Sequence, residues 1–237
     1  MPSEAALALL EPLRDKVPDA VFGEAWTPPV SSGSGTDRAL LKEANDLLLA
    51  AGWTRRGRSL VDAGGRPFTI EFLDNSPSME RVIQPYARNL ERLGIELSFR
   101  LVDPAQYQSR MNVFDFDMTG QRYSLSPTPG EAVRQFWTSE AARTDGSYNL
   151  AGIADPAVDV LVEALINAPT RADMVTAARA LDRVLRSGFY WVPNWFKPVH
   201  TVAYWDEFGF PEAPPHYGFP VVETWWHAGA ATAKKNG

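Results

Sequence analysis

A chain of 237 residues, 45% hydrophobic and 22% charged, is long enough to bury a sizeable core and too apolar for wholesale disorder. Its net charge of -6 argues against nucleic-acid binding as the main role, because a phosphate-tracking surface needs a basic excess, and no apolar run reaches the length that spans a bilayer. Cysteine is absent, which excludes disulfides and thiolate metal sites, and His200, His216 and His227 share no i,i+4 spacing suited to a metal.

In chain order, Leu7, Leu10 and Leu13 allow a short helix over 4–13. Residues 17–35 follow as extended chain ending in the Ser/Gly joint 31–35. Thr36 or Asp37 caps a helix whose Leu40, Leu41, Ala44, Leu47, Leu48 and Ala51 fall on one face, and Gly52 stops it. Residues 53–67 read as a small hairpin, and Phe68, Ile70 and Phe72 alternate as a strand. Ser76 and Pro77 open a helix with Met79, Val82, Ile83, Tyr86, Leu90 and Leu93 inward and Pro85 predicted to kink it. Ile95, Leu97, Phe99 and Leu101 form the next strand, so the segment is a β-α-β unit with parallel pairing.

A shorter helix over 103–111 leads to Phe114-Asp115-Phe116-Asp117-Met118-Thr119-Gly120, read as a third strand. Its alternation predicts Asp115, Asp117 and Thr119 on a solvated face and Phe116 and Met118 toward the core. Farther on, Asp155-Pro156 opens a helix burying Val158, Leu161, Val162 and Leu165. Thr170 with Asp173 resembles a capping box for another, burying Val175, Ala178, Leu181, Val184 and Leu185. Residues 189–193 and 202–205 look strand-like, Pro211 to Pro220 disfavours regular structure, and 228–237 reads as a disordered tail.

The residues just after the third strand carry the candidate site. Gly120 lets backbone approach a ligand, Gln121 donates and accepts, Arg122 forks onto a carboxylate, and Tyr123 offers a rigid face. They sit at the carboxyl end of a parallel sheet, where ligands bind in open α/β folds. An enzymatic alternative uses Asp115-x-Asp117-x-Thr119 as the first motif of haloacid-dehalogenase-type phosphatases, with Asp115 as nucleophile, Asp117 as general acid and Mg²⁺ on the phosphate. No later acidic pair supplies the metal clamp. Neither a phosphate-binding G-x-x-x-x-G-K nor a G-x-S-x-G nucleophile turn occurs.

Several runs together resemble a known family. Residues 37–53, ending Ala51-Gly52-Trp53, followed by Asp62-Ala63-Gly64-Gly65-Arg66-Pro67, are similar to a segment of the family 5 extracellular solute-binding proteins of ABC importers. Residues 83–95, Phe114-Asp115, 149–159 and Val192-Pro193-Asn194-Trp195 continue the order. The ending through Tyr204-Trp205-Asp206 to Glu223-Thr224-Trp225-Trp226 resembles the YejA-like oligopeptide-binding branch, so the likeness spans about residues 9–227.

The resemblance implies a fragment of a two-lobed, non-catalytic periplasmic clamp that delivers oligopeptide or a related small solute to an ABC permease. It implies an α/β fold: a mostly parallel sheet flanked by helices, forming the second lobe of a periplasmic-binding-protein-like fold, with an aromatic, Pro-rich C-terminal return segment. The implied layout is helix and linker over 1–36, the lobe over 37–190, the return segment over 191–227 toward a missing amino-terminal lobe, and the tail over 228–237. The expected contacts are Gly120, Gln121, Arg122 and Tyr123; relatives often place a Trp and an acid in this loop, and this sequence has Gln121 and Ser124 in their neighbourhood. No cofactor is expected, and no secretory leader is recognisable at residues 1–6. A stand-alone module dimerising through the aromatic tail is the remaining alternative.

Overall fold

The computed structural model describes residues 1–33, 35–213, 215 and 218–229. Most of the tail predicted to be disordered, 230–237, lies outside the described residues. The chain divides into two compact units, Met1–Trp191 and Val192–Gly237.

The first unit opens with helix α1 (Glu4–Leu10), capped by Ser3 Oγ, which accepts from the Ala6 N–H at 3.2 Å. Single 3₁₀ segments Glu11–Lys16 and Asp19–Phe22 follow. Helix α2 (Arg38–Ala50) is capped by Asp37, whose Oδ1 accepts from the Ala39 and Leu40 N–H groups. A hairpin of β1 (Thr54–Arg56) and β2 (Ser59–Val61) turns at Gly57, and β3 (Thr69–Asp74), α3 (Pro77–Arg92) and β4 (Glu96–Leu101) form the β-α-β unit. Helix α4 (Pro104–Asn112) leads to β5 (Met118–Thr119). Then come α5 (Arg134–Trp137), α6 (Pro156–Ile166) and α7 (Arg171–Ser187).

Strands β4, β3 and β5 form one sheet in that order, parallel throughout, with Phe72 opposite both Phe99 and Met118. The predicted helix-flanked parallel sheet is the observed fold. Helix α3 runs unbroken through Pro85 and buries Ile83 and Leu90, and Leu90 joins Leu60, Leu93 and Ile95 in one cluster. Helix α2 adds only a narrow stripe to that cluster, Leu41, Ala44 and Leu48. Leu47, predicted to face inward, lies outside that stripe and is 66% exposed.

The third strand is shorter than its alternation predicts. Phe114 adopts φ 56°, and the Asp115 N–H donates back to Arg110 O, so the chain is still leaving α4 at residue 115. The ladder therefore begins only at Met118. Thr119, predicted on a solvated face, is half-buried: its Oγ1 donates to Leu73 O at 3.0 Å and lies 3.2 Å from the Tyr107 hydroxyl.

Residues 4–22, expected to be a helix and a length of extended chain, pack into the helical core instead. Leu10, Leu13, Val17 and Val21 share a cluster with Ile153, Leu161, Val162, Leu181 and Val184. Because α7 packs on both α6 and α1, its buried stripe is wider than predicted and centres on Met174, Ala177, Ala180, Leu181, Val184 and Leu185, leaving Val175 and Ala178 half-buried. Thr170 Oγ1 accepts from the Asp173 N–H and donates to Asp173 Oδ2, the expected pairing at this cap.

The loop before α6 is held by Asn149, 1% exposed. Its Nδ2 donates to Thr138 O at 3.0 Å and Ile153 O at 2.8 Å, and its Oδ1 accepts from the Ile153 N–H at 2.9 Å. Asn149→Ala is expected to lower unfolding free energy by about 2 kcal/mol, since three backbone groups lose their partner in a site with little room for water. Urea unfolding followed by circular dichroism measures this, and a loss below about 0.5 kcal/mol would show that the loop holds itself.

In the second unit, β6 (Phe208–Gly209) pairs with β7 (Trp226–His227) antiparallel, and α8 (Val221–Thr224) lies between them in sequence. The strand-like stretches 189–193 and 202–205 form no strand among the described residues. Trp225 is packed by Tyr204 (ring centroids 4.8 Å) and Phe210 (4.9 Å), while Trp195, Phe196 and Trp205 are 69%, 83% and 78% exposed.

Candidate functional site

The parallel strands point their carboxyl ends at one edge of the sheet, and the turns leaving them begin α3 and α4. At α4 the cap is Asp103, whose Oδ1 accepts from the Ala105 and Gln106 N–H groups. At α3 the predicted cap, Ser76, does not use its hydroxyl on the helix; Ser76 Oγ lies 2.8 Å from Ser78 Oγ. The Ser76 N–H instead donates to Asp74 Oδ1 at 2.7 Å. Asp74, the last residue of β3, is 7% exposed, and it and Asn149 are the buried polar side chains among the described residues. The sequence reading missed Asp74; an acid closing a predicted strand just before a helix start was the available signal.

Gly120 follows β5 and sits beside Asp74. A Cβ placed on it would lie 3.8 Å from the Phe72 ring, 3.9 Å from Asp74 Oδ2 and 4.0 Å from Met79 Cε. Gln121 and Arg122 are exposed, and among the described residues neither makes a hydrogen bond or ion pair. Tyr123 differs. Its ring packs 5.9 Å from Phe136, 5.5 Å from Trp137 and 6.1 Å from Trp191, and its hydroxyl accepts from Trp191 Nε1 at 3.3 Å. Burial pushes the Tyr123 phenol above its ordinary pKa, against the opposing effect of that hydrogen bond. The four predicted residues thus divide: Gly120 belongs to the sheet edge, Gln121 and Arg122 to the surface, and Tyr123 to an aromatic wall of the helical core.

Asp115 and Asp117 do not form a pair for phosphoryl transfer. Asp115 Oδ2 accepts from Arg110 Nε at 2.8 Å, and Arg110 Nη2 also reaches Glu71 Oε1 at 2.7 Å. Asp117 Oδ2 accepts from the Glu71 backbone N–H at 2.9 Å, filling the place in the β3 ladder that β5 is too short to reach. Each carboxylate is tied to a structural partner, and the same-side placement needed for chemistry fails because residue 115 precedes the strand.

The family model of bacterial extracellular solute-binding proteins, family 5, middle region, matches residues 14–145. The chain belongs to the family 5 bacterial extracellular solute-binding proteins. Family 5 proteins bind solutes and are not enzymes, so the phosphatase alternative is set aside. A putative binding protein of Brucella melitensis is 44% identical over 219 residues, covering 92% of this chain and 36% of that relative. The probable peptide-binding protein YejA of Agrobacterium fabrum is 42% identical over 227 residues, covering 95% and 37%. This family 5 chain therefore spans a little over a third of the length of these relatives. Among solved structures, the oligopeptide-binding protein AppA of Bacillus subtilis, in complex with a nonapeptide, matches with a TM-score of 0.56 at 18% identity over 78% of this chain and 38% of that one, a likeness of fold.

Proposed function

We propose that this chain is the carboxyl-terminal portion of a periplasmic solute-binding component of an ABC importer, capturing peptide or a related solute without chemistry and handing it to the permease. The observation that carries the reading is the carboxyl edge of the parallel sheet, where Gly120 brings backbone to the surface beside unpaired Gln121 and Arg122. The peptide-binding relative and the nonapeptide held by a protein of like fold support the solute class.

In this reading residues 37–190, with 4–22 packed among their helices, form one wall of the clamp, and 191–227 return toward an amino-terminal lobe. Such cover accounts for the exposure of Trp195, Phe196 and Trp205, large apolar side chains to leave on a free surface. A single wall buries only part of a ligand, so binding by this chain alone is weak. Calorimetry with trialanine at micromolar concentration is expected to show no binding heat, whereas millimolar trialanine shifts the backbone amide resonances of residues 120–123 in two-dimensional NMR. Absence of those shifts rejects the assignment of this edge as the solute wall; micromolar affinity would show that one wall suffices.

A further inference from the structure

We infer that the cavity between the amino-terminal segment and the end of α7 is a second binding site, one that takes a small apolar carboxylate. It lies wholly within the first unit, and none of the residues assigned to the solute wall lines it. Its volume is about 310 Å³, at the lower end of the range for small-molecule pockets. Pro18, Ala20 and Val21 contribute aliphatic wall, and Trp26 and Phe189 supply two rings, edge to face with centroids 5.3 Å apart. That surface suits a hydrocarbon body about the size of a phenyl ring. Phe189 stands at φ 51°, a left-handed backbone that side chains rarely adopt, yet its ring is 65% exposed. The strained backbone does not bury the ring; it sets it against Trp26 as part of the cavity wall.

Arg183 gives the cavity its charge. The side chain is half-buried in the cavity wall and pairs with no carboxylate among the described residues, whereas Arg186, on the next turn of α7, is held by Asp182 at 2.8 Å. Arg183 Nη2 donates to Gly23 O, and Nε is sealed from solvent without an acceptor. Nη1 has no hydrogen bond among the described residues either, but it is not sealed, so it is the donor within reach of an incoming acceptor. A partly desolvated guanidinium without a counter-ion favours an anion, and its planar donors match a carboxylate. Glu24, the other charged residue on the cavity wall, also lacks a partner among the described residues, but it is exposed and water screens it. The sign of the cavity is therefore set by Arg183.

The test follows the Trp26 indole N–H and the amides of residues 183–189 by two-dimensional NMR on the 237-residue chain, with phenylacetate, phenylacetamide and phenethylammonium as probes. Millimolar phenylacetate is expected to shift these resonances and to bind about tenfold more tightly than phenylacetamide, the factor that a charge-assisted hydrogen bond supplies. Arg183→Gln, which keeps a donor side chain, should bind acid and amide equally. Phe189→Gly suits the backbone at that position and removes the ring, so it should weaken both probes alike and leave the preference for the acid in place. No shift with millimolar phenylacetate, equal binding of acid and amide, or tighter binding of the amine overturns the site, as does a preference that survives Arg183→Gln. Should Arg183→Gln fail to fold, the preference in the native chain together with the uniform weakening in Phe189→Gly decides, and its absence from either rejects the proposal. Shifts confined to residues 120–123 also overturn it by placing the acid at the solute wall. The reading of the sheet edge is tested separately by trialanine and stands or falls without this cavity.

Discussion

Replacing Gly94 by alanine is expected to lower the unfolding free energy by about 3 kcal/mol, a large share of a typical domain's stability. Gly94 ends α3 with φ +83°, its N–H donates to Glu91 O, and its carbonyl accepts from the Leu60 N–H at 2.7 Å. A Cβ there would stand 2.8 Å from Leu60 N, 2.9 Å from Arg58 O and 3.1 Å from Ser59 C. All three are backbone atoms of the hairpin, so no side chain can swing aside, and the hairpin must lift off the β-α-β unit. Gly52 is the control. It has φ +93° at the end of α2, but nothing lies within 4 Å of its would-be Cβ. Gly52→Ala should cost only the backbone conformation, about 1 kcal/mol. Equal losses in urea titrations of the two variants would show that the close approach at Gly94 carries no weight.

Leu10→Ala should cost a similar amount, about 3 kcal/mol, by leaving a cavity among Ile153, Leu161 and Leu181. Leu10 is 0% exposed although it lies ten residues from the start of the chain. Were residues 4–22 a tether, this substitution would be silent, as Leu47→Ala on the open side of α2 should be, within about 0.5 kcal/mol. Thermal melts of the two variants side by side separate these outcomes.

Much of the architecture was legible because its signals are local. The stripe of α3, the strands β3 and β4 and the caps at Asp37 and Thr170 are periodicities or single-residue cues and appear in place, although Leu101, predicted inward, is 48% exposed and β3 buries Phe72, Leu73 and Asp74 in a row. What could not be read depends on distant partners. The strand expected from Phe114 is delayed because Arg110 holds Asp115 close to α4, and the alternation of Phe and Asp carries no trace of that pairing. The aromatic run at 189–193 has strand composition, yet Trp191 is used as a ring contact for Tyr123 and Trp137. For the site, sequence order placed Gly120 after the third strand, and Tyr123, read as offering a rigid face, packs half-buried against the helical core. Asp74 was passed over since its burial follows from the register of three strands, which no short window contains.

The packing of α1 on α7 has a kinetic side. The β-α-β unit is built from near neighbours in sequence, whereas the helical core closes through ties such as Arg183 Nη2 to Gly23 O, 160 residues apart. Closing so large a loop before its contacts exist is slow, so strands β3 and β4 with α3 are set to form early and the amino-terminal segment to dock last. During synthesis residues 4–22 emerge before α6 and α7 and must wait for them before they can bury Leu10 and Val21, leaving a short apolar stretch without cover while the β-α-β unit between them is being made.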